Sequence, residues 1–216
     1  MRCFARWKND TTANVSYRDQ TILQFGTSWG LIANVVLLNP GSALPLNEID
    51  QSDLLRSKSL PFFVEPEAGE KYVEFSIDRL MNDVLGLFSK HFDGGTIRLL
   101  NLFNLKNQHS AEAIQQSQEH YQHNKMFSPD SEICYCGAPV IIASGDGAKK
   151  NQRLTEELLR HISLASASEL YALTNVDGRR FAIKRARPNE NGMIDSYHPS
   201  YTFKYGNTTE IGEFKP

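Results

Sequence analysis

The sequence predicts an α/β protein, a three-layer α/β/α sandwich with a mostly parallel central sheet. Three observations carry this expectation. Short apolar runs recur at 31–38, 96–104, 139–144 and 170–174, and they end in polar residues or glycine. Such unbroken apolar runs fit strands buried on both faces. Between them lie stretches with helical spacing, so strands alternate with helices through most of the chain.

Taken in order, residues 1–26 read as a hairpin appended to the main sheet. Val15, Ser16, Tyr17 and Arg18 flank one side of Asp19 and Gln20, and Thr21, Ile22, Leu23, Gln24 and Phe25 the other, with Gly26 closing the second strand. The first central strand is 31–38, and Asn39, Pro40 and Gly41 stop it, because proline lacks the ladder N–H and glycine permits the turn. Residues 44–72 are irregular, with a short helical piece near 48–58, in the manner of a lid or a covering loop. Over 73–90, Val73, Ile77, Leu80, Met81, Val84, Leu87 and Phe88 recur at threes and fours, which predicts the clearest helix.

Asp93, Gly94 and Gly95 form a turn before the second strand, and 110–133 reads as a solvent-facing helix rich in Gln and His. The third strand runs into Gly145, Asp146 and Gly147 and then a helix to about residue 163. The fourth strand turns at 175–178 into 179–187, which holds Arg179, Arg180, Lys184, Arg185 and Arg187 and no acid. That bias fits either a phosphate-bearing partner or an edge strand guarded by cations. The tail from residue 206 is expected to fray.

Length and composition narrow the function. A chain of 216 residues makes a single domain. The net charge of −2 does not advertise a polyanion partner. No run of ~18 apolar residues exists to span a membrane. Residues 1–8 lack the apolar core of a signal peptide, and the three cysteines do not make a disulfide framework, so the expected compartment is the cytoplasm. Cys134 and Cys136 are one residue apart rather than at zinc-ligand spacing, and no metal or cofactor is expected. The serine-hydrolase elbow, the phosphate-loop lysine motif and the dinucleotide fingerprint are all missing. What converges at strand ends is neutral and polar: Asn39, Asn101, Asn104, Ser144 and His198. Such groups suit reading the edge of a heterocycle, with one imidazole to stabilise a leaving group.

The order of these blocks resembles the uracil-DNA glycosylase superfamily. Leu38-Asn39-Pro40-Gly41 is similar to its first motif, Leu99-Leu100-Asn101 to its second, and the run from Ile141 to Lys150 to its third. His198-Pro199-Ser200 matches the last. Asn101-Leu102-Phe103 also resembles a bacterial domain family of unknown function that carries an L-N-P-S-like first motif and an N-L-F block.

The resemblance implies a uracil-DNA glycosylase-like fold and a cofactor-free N-glycosidase that acts on a flipped base, modified or not, in single- or double-stranded DNA. Asn39 would position water and His198 would stabilise the departing base. Asn101, with Phe103 and Asn104, would read the base. Gly41, Ser42, Ser144, Gly145, Ser200, Arg185 and Arg187 would hold phosphates. Two alternatives stay open: a module that binds nucleic acid or nucleotide without cleaving it, and a hydrolase of free nucleosides or nucleotides. A monomer is expected.

Overall fold

The computed structural model describes residues 1–204 and 206–215. Its nine strands form one sheet. They are β1 (Arg2–Asp10), β2 (Val15–Phe25), β3 (Leu31–Leu37), β4 (Lys71–Phe75), β5 (Gly95–Asn101), β6 (Val140–Ile142), β7 (Leu170–Asp177), β8 (Arg180–Arg185) and β9 (Thr208–Glu210). The order across the sheet is β4-β1-β2-β5-β3-β6-β7-β8-β9. Strands β5, β3, β6 and β7 run parallel, as the buried apolar runs predict. The sheet as a whole is mixed rather than mostly parallel. The flank β4-β1-β2-β5 is antiparallel throughout, β8 is antiparallel to β7, and β9 lies parallel to β8.

The N-terminal hairpin accounts for much of that difference. It does not turn at Asp19 and Gln20. Its turn lies at 11–14, where Asp10 Oδ1 accepts the Thr12 and Ala13 amides at 2.9 and 3.1 Å and Asn14 adopts a φ of +52°. Asp19 and Gln20 sit inside β2 because both have buried partners. Arg6 Nε and Nη2 donate to Asp19 at 2.8 and 2.7 Å, and Arg98 donates to the Gln20 amide oxygen. The polar pair reads as a turn in sequence only because those arginines are remote. The hairpin is continuous with the main sheet, since β2 pairs with β5.

Five α-helices lie among the described residues: α1 (Ser52–Ser57), α2 (Arg79–Phe88), α3 (Ser110–Glu119), α4 (Gln152–Leu164) and α5 (Pro199–Thr202). Alternation along the central strands sends neighbouring residues to opposite faces. Val35, Leu37, Leu99 and Leu173 join one core with Met81, Val84, Leu85 and Phe88 of α2. Val36, Leu100, Ile142 and Ala172 join the other with Leu154, Leu158 and Ile162 of α4.

Helix α2 is shorter than its sequence pattern, because residues 71–75 pair as an edge strand with β1 and Asp78 then caps the helix by accepting the Met81 amide at 2.9 Å. Helix α3 ends at Glu119 rather than near 133, since it buries only Ala113 and Ser117 and has little apolar face to extend. A 3-10 turn at Gly145–Lys149 separates β6 from α4.

The C-terminal segment is built into the sheet rather than frayed. Phe214 is buried between Phe88, Phe92 and Tyr171. Gly212 brings it there with φ +57°, and a Cβ at that position would meet the Ile183 carbonyl oxygen at 2.5 Å. Replacing Phe214 by Ala is expected to cost about 3 kcal/mol by urea unfolding. A change within about 0.5 kcal/mol, the usual range for an exposed position, would show that this segment does not contribute to the core.

Candidate functional site

The parallel register sets Leu37 of β3 opposite Asn101 of β5, and backbone pairing continues as Leu102 N–H donates to the Leu37 carbonyl at 2.9 Å. The carboxyl ends of both strands therefore open at one level, where ligands bind in open α/β sheets. A cleft of about 520 Å³ lies there, on the α2 side of the sheet. It is lined by Asn39, Asn101, His198 and Ser200, and by Gly41 and Ser42 of the loop that follows β3.

Asn39 is fixed by its own turn. Its carboxamide nitrogen donates to the Pro40 and Asn107 carbonyls at 2.9 and 2.8 Å. Both donors of that amide are thus spent on backbone, and its oxygen remains as an acceptor. Asn101 is different: it is 6% exposed, and its side chain has no hydrogen-bond partner among the described residues. A nearly buried amide on a cleft wall with no protein partner is ready to bond something that enters.

His198 caps α5 with its ring. Nδ1 accepts the Ser200 amide at 3.2 Å and faces the Ser200 hydroxyl at 2.8 Å, so the ring proton belongs on Nε2. Burial, with help from the Lys204 charge, pulls its pKa down to about 4. The ring is neutral at neutral pH and can donate from Nε2. Gly145 supports this position from behind. Its φ is +66°, and a Cβ there would come within 2.9 Å of the His198 Cβ, so only glycine lets the β6 turn pack against the ring's backbone.

The other residues named from sequence lie elsewhere. Phe103 is fully buried in the core on the α4 face. Asn104 donates to the Lys125 carbonyl and the Ser128 hydroxyl at 3.2 and 3.1 Å, beside a separate cavity of about 170 Å³. Ser144 is buried and its hydroxyl has no partner among the described residues. Arg185 stands opposite Tyr171 near the amino end of β7 and pairs with Glu169 at 2.8 Å. Ala186 N–H donates to Leu170 O, so Arg187 continues away from the cleft. Arg185 and Arg187 therefore lie towards the opposite end of the sheet from Asn39, Asn101 and His198, whereas Arg180, opposite Asp177 at the carboxyl end of β7, lies at the same end as the cleft.

Sequence reading missed Arg18, Asp78, Asn107 and His109, all of which line the cleft. Arg18 is 3% exposed. One of its terminal nitrogens donates to the Ala43 carbonyl at 3.3 Å, and the guanidinium lies 5.3 Å from the centre of the Phe75 ring. Among the described residues its Nε has no partner and no carboxylate lies within ion-pair distance. Burial pulls its pKa below the ordinary arginine value, against the opposing influence of Cys3 and Asp78. A buried charge held this way costs on the order of several kcal/mol. The only sequence signal was an unbroken polar run, Arg18 to Thr21, between Tyr17 and the apolar Ile22 and Leu23. Asp78 uses Oδ1 on the Met81 amide, and its Oδ2 lies 3.2 Å from where a Cβ on Gly41 would stand. A carboxylate thus lies against the turn that holds Asn39.

No group of three or more His, Cys, Asp or Glu suited to a metal occurs among the described residues, and none of their helices is long and apolar enough to cross a membrane. The Cys134 and Cys136 sulfurs are 3.0 Å apart and exposed. Comparison of the chain with family models, with curated proteins and with solved structures returned no match.

A second histidine shares the neutral state of His198. His161 of α4 is buried, faces the Tyr135 hydroxyl at 2.6 Å from Nδ1, and bonds the Asn101 backbone. Burial, then the charges of Arg160 and Arg98, lower its pKa to about 3. Both histidines take up protons on unfolding at an ordinary value near 6.5. Their contribution is full above that pH and is lost as pH falls towards the folded values. Between pH 6.5 and 5 the unfolding free energy should drop by about 1.5 kcal/mol for each histidine. Urea titrations across that range check this: the His198→Gln variant should lose half the drop, and a flat wild-type profile contradicts it.

Proposed function

We propose that the chain is an N-glycosidase with the three-layer arrangement of the uracil-DNA glycosylase superfamily, acting on the base of a nucleotide. The observation that carries this reading is the convergence of Asn39, Asn101 and His198 on one cleft from three distant parts of the sequence. The Asn101 amide bonds the edge of the base. The neutral His198 donates from Nε2 to the oxygen on which negative charge collects as the glycosidic bond breaks. The Asn39 oxygen accepts from the attacking water and aligns it below the sugar. An amide orients water without taking its proton, and Asp78 supplies the carboxylate for that step.

A second reading, binding without cleavage, is favoured by one observation: the residue closing the first motif is an amide, with both N–H groups already tied to backbone. Release of free base separates the two. Purified protein incubated with oligonucleotides carrying uracil, mismatched and modified bases, beside free nucleosides and nucleotides, should liberate base detectable by mass spectrometry. Asn39→Ala, His198→Ala and Asp78→Asn should each lower the rate about 100-fold. The last variant keeps a residue that caps α2, so its loss of activity is separable from loss of stability. Ligand retained with no base released supports the binding module. Undiminished release by both Asn39→Ala and His198→Ala would show that the chemistry lies elsewhere.

A further inference from the structure

Arg18 is more than the proposed chemistry requires. Its charge is buried on the wall of the cleft, its Nε lacks an acceptor, and its partners are one carbonyl oxygen and the face of an aromatic ring. Arg6 and Arg98, the other buried arginines of the same part of the sheet, have both terminal nitrogens bonded, although Arg98 Nε, like Arg18 Nε, has no partner among the described residues. Arg6 faces Asp19, Glu70 and Glu132, and Arg98 donates to Gln20 and to the Glu132 and Cys134 carbonyls. Lys106 adds to the imbalance: it lies close enough to Arg18 for the two charges to repel, and it has no ion-pair partner among the described residues.

The surrounding backbone points the same way. The first turn of α3, Ser110 and Ala111, lines the cleft, and its N-cap His109 makes no side-chain bond to the helix amides. Those amides present donors and the positive end of the helix dipole. The first turn of α2 lines it as well. Asp78 is the carboxylate that acts on Arg18 from beyond ion-pair distance, and one of its oxygens is already bonded to the Met81 amide.

We infer, building on the N-glycosidase reading, that Arg18 and the amino end of α3 receive a terminal phosphate, so that the substrate is a free nucleoside monophosphate rather than DNA. A guanidinium offers the planar donor fork that a phosphate accepts. Arg18 is too deep for a phosphodiester running over the surface, being 3% exposed, whereas a terminal phosphate can enter the cleft. The volume of about 520 Å³ suits one small ligand. Arg185 and Arg187 lie towards the far end of the sheet, and Arg180, at the near end, pairs with Asp177 at 3.3 Å, so β8 gives a polynucleotide little free charge to follow to the cleft.

Calorimetric titration of the whole chain with the common nucleoside monophosphates, their nucleosides, inorganic phosphate and a short single-stranded oligonucleotide tests this. At least one monophosphate should bind about tenfold or more tighter than its nucleoside and than the oligonucleotide. Arg18→Gln should erase that advantage while leaving nucleoside affinity unchanged, and Arg18→Lys should keep part of it. If Arg18→Gln does not fold, the wild-type ratio and Arg18→Lys decide. Equal affinity for nucleoside and monophosphate, or an advantage that survives Arg18→Gln, overturns the inference, as does the absence of any binding. Hydrolysis of nucleosides or DNA with no monophosphate preference would leave the N-glycosidase reading standing and remove this one. Tight monophosphate binding without base release would do the reverse.

Discussion

The site depends on one register: β3 beside β5 in parallel, with Leu37 opposite Asn101. That pairing ends both strands at the same height. Asn39 and Asn101 then share a cleft, and the loop after β5 returns to hold the Asn39 amide through the Asn107 carbonyl. A slip of one residue would turn Asn101 to the α4 face and bury it among Leu100, Leu102 and Phe103. The apolar alternation on both faces prevents that slip, so packing on the two sides of the sheet sets the geometry of the polar groups at its end.

Electrostatics divide the cleft from the rest of the interior. Elsewhere, Glu157 lies between Arg153 and Arg160 at 2.7 and 2.9 Å, Arg6 is surrounded by acids, and Arg98 spends both terminal nitrogens on oxygen acceptors. In the cleft, polar groups are left open instead. Among the described residues nothing bonds the Asn101 amide or His198 Nε2, and no acid pairs with Arg18. Sites that handle ligands retain such unmet bonding capacity because the ligand completes it.

The parallel strands and the place of the cleft were legible in sequence because they rest on local signals. The run that stops at Asn39 carries its own end with it; the second run was read on to residue 104, whereas the strand ends at Asn101, and the short helix that His198 caps was not read from the sequence. The antiparallel flank was not legible. The hairpin turn at 11–14 has no glycine, and Asp19 with Gln20 imitates a turn until Arg6 and Arg98 are brought beside it. Residues 71–75 continue the helical spacing of α2 by coincidence, and only pairing with β1 makes them a strand. Arg18 was illegible for the same reason: nothing local reveals that a strand arginine will be buried without an acid. The charge bias at 179–187 was visible but said little about place, since the β7 register keeps Arg180 at the cleft end of the sheet and carries Arg185 to the other.

The central claim, that this cleft is where the ligand sits, is tested most directly by following side-chain amide and imidazole resonances of isotopically labelled protein as a nucleoside monophosphate is added. Shifts at Asn39, Asn101 and His198, with the Arg18 guanidinium moving at the same ligand concentration, are the result expected. Shifts confined to β8, around Lys184 and Arg185, with the cleft unmoved, would contradict it.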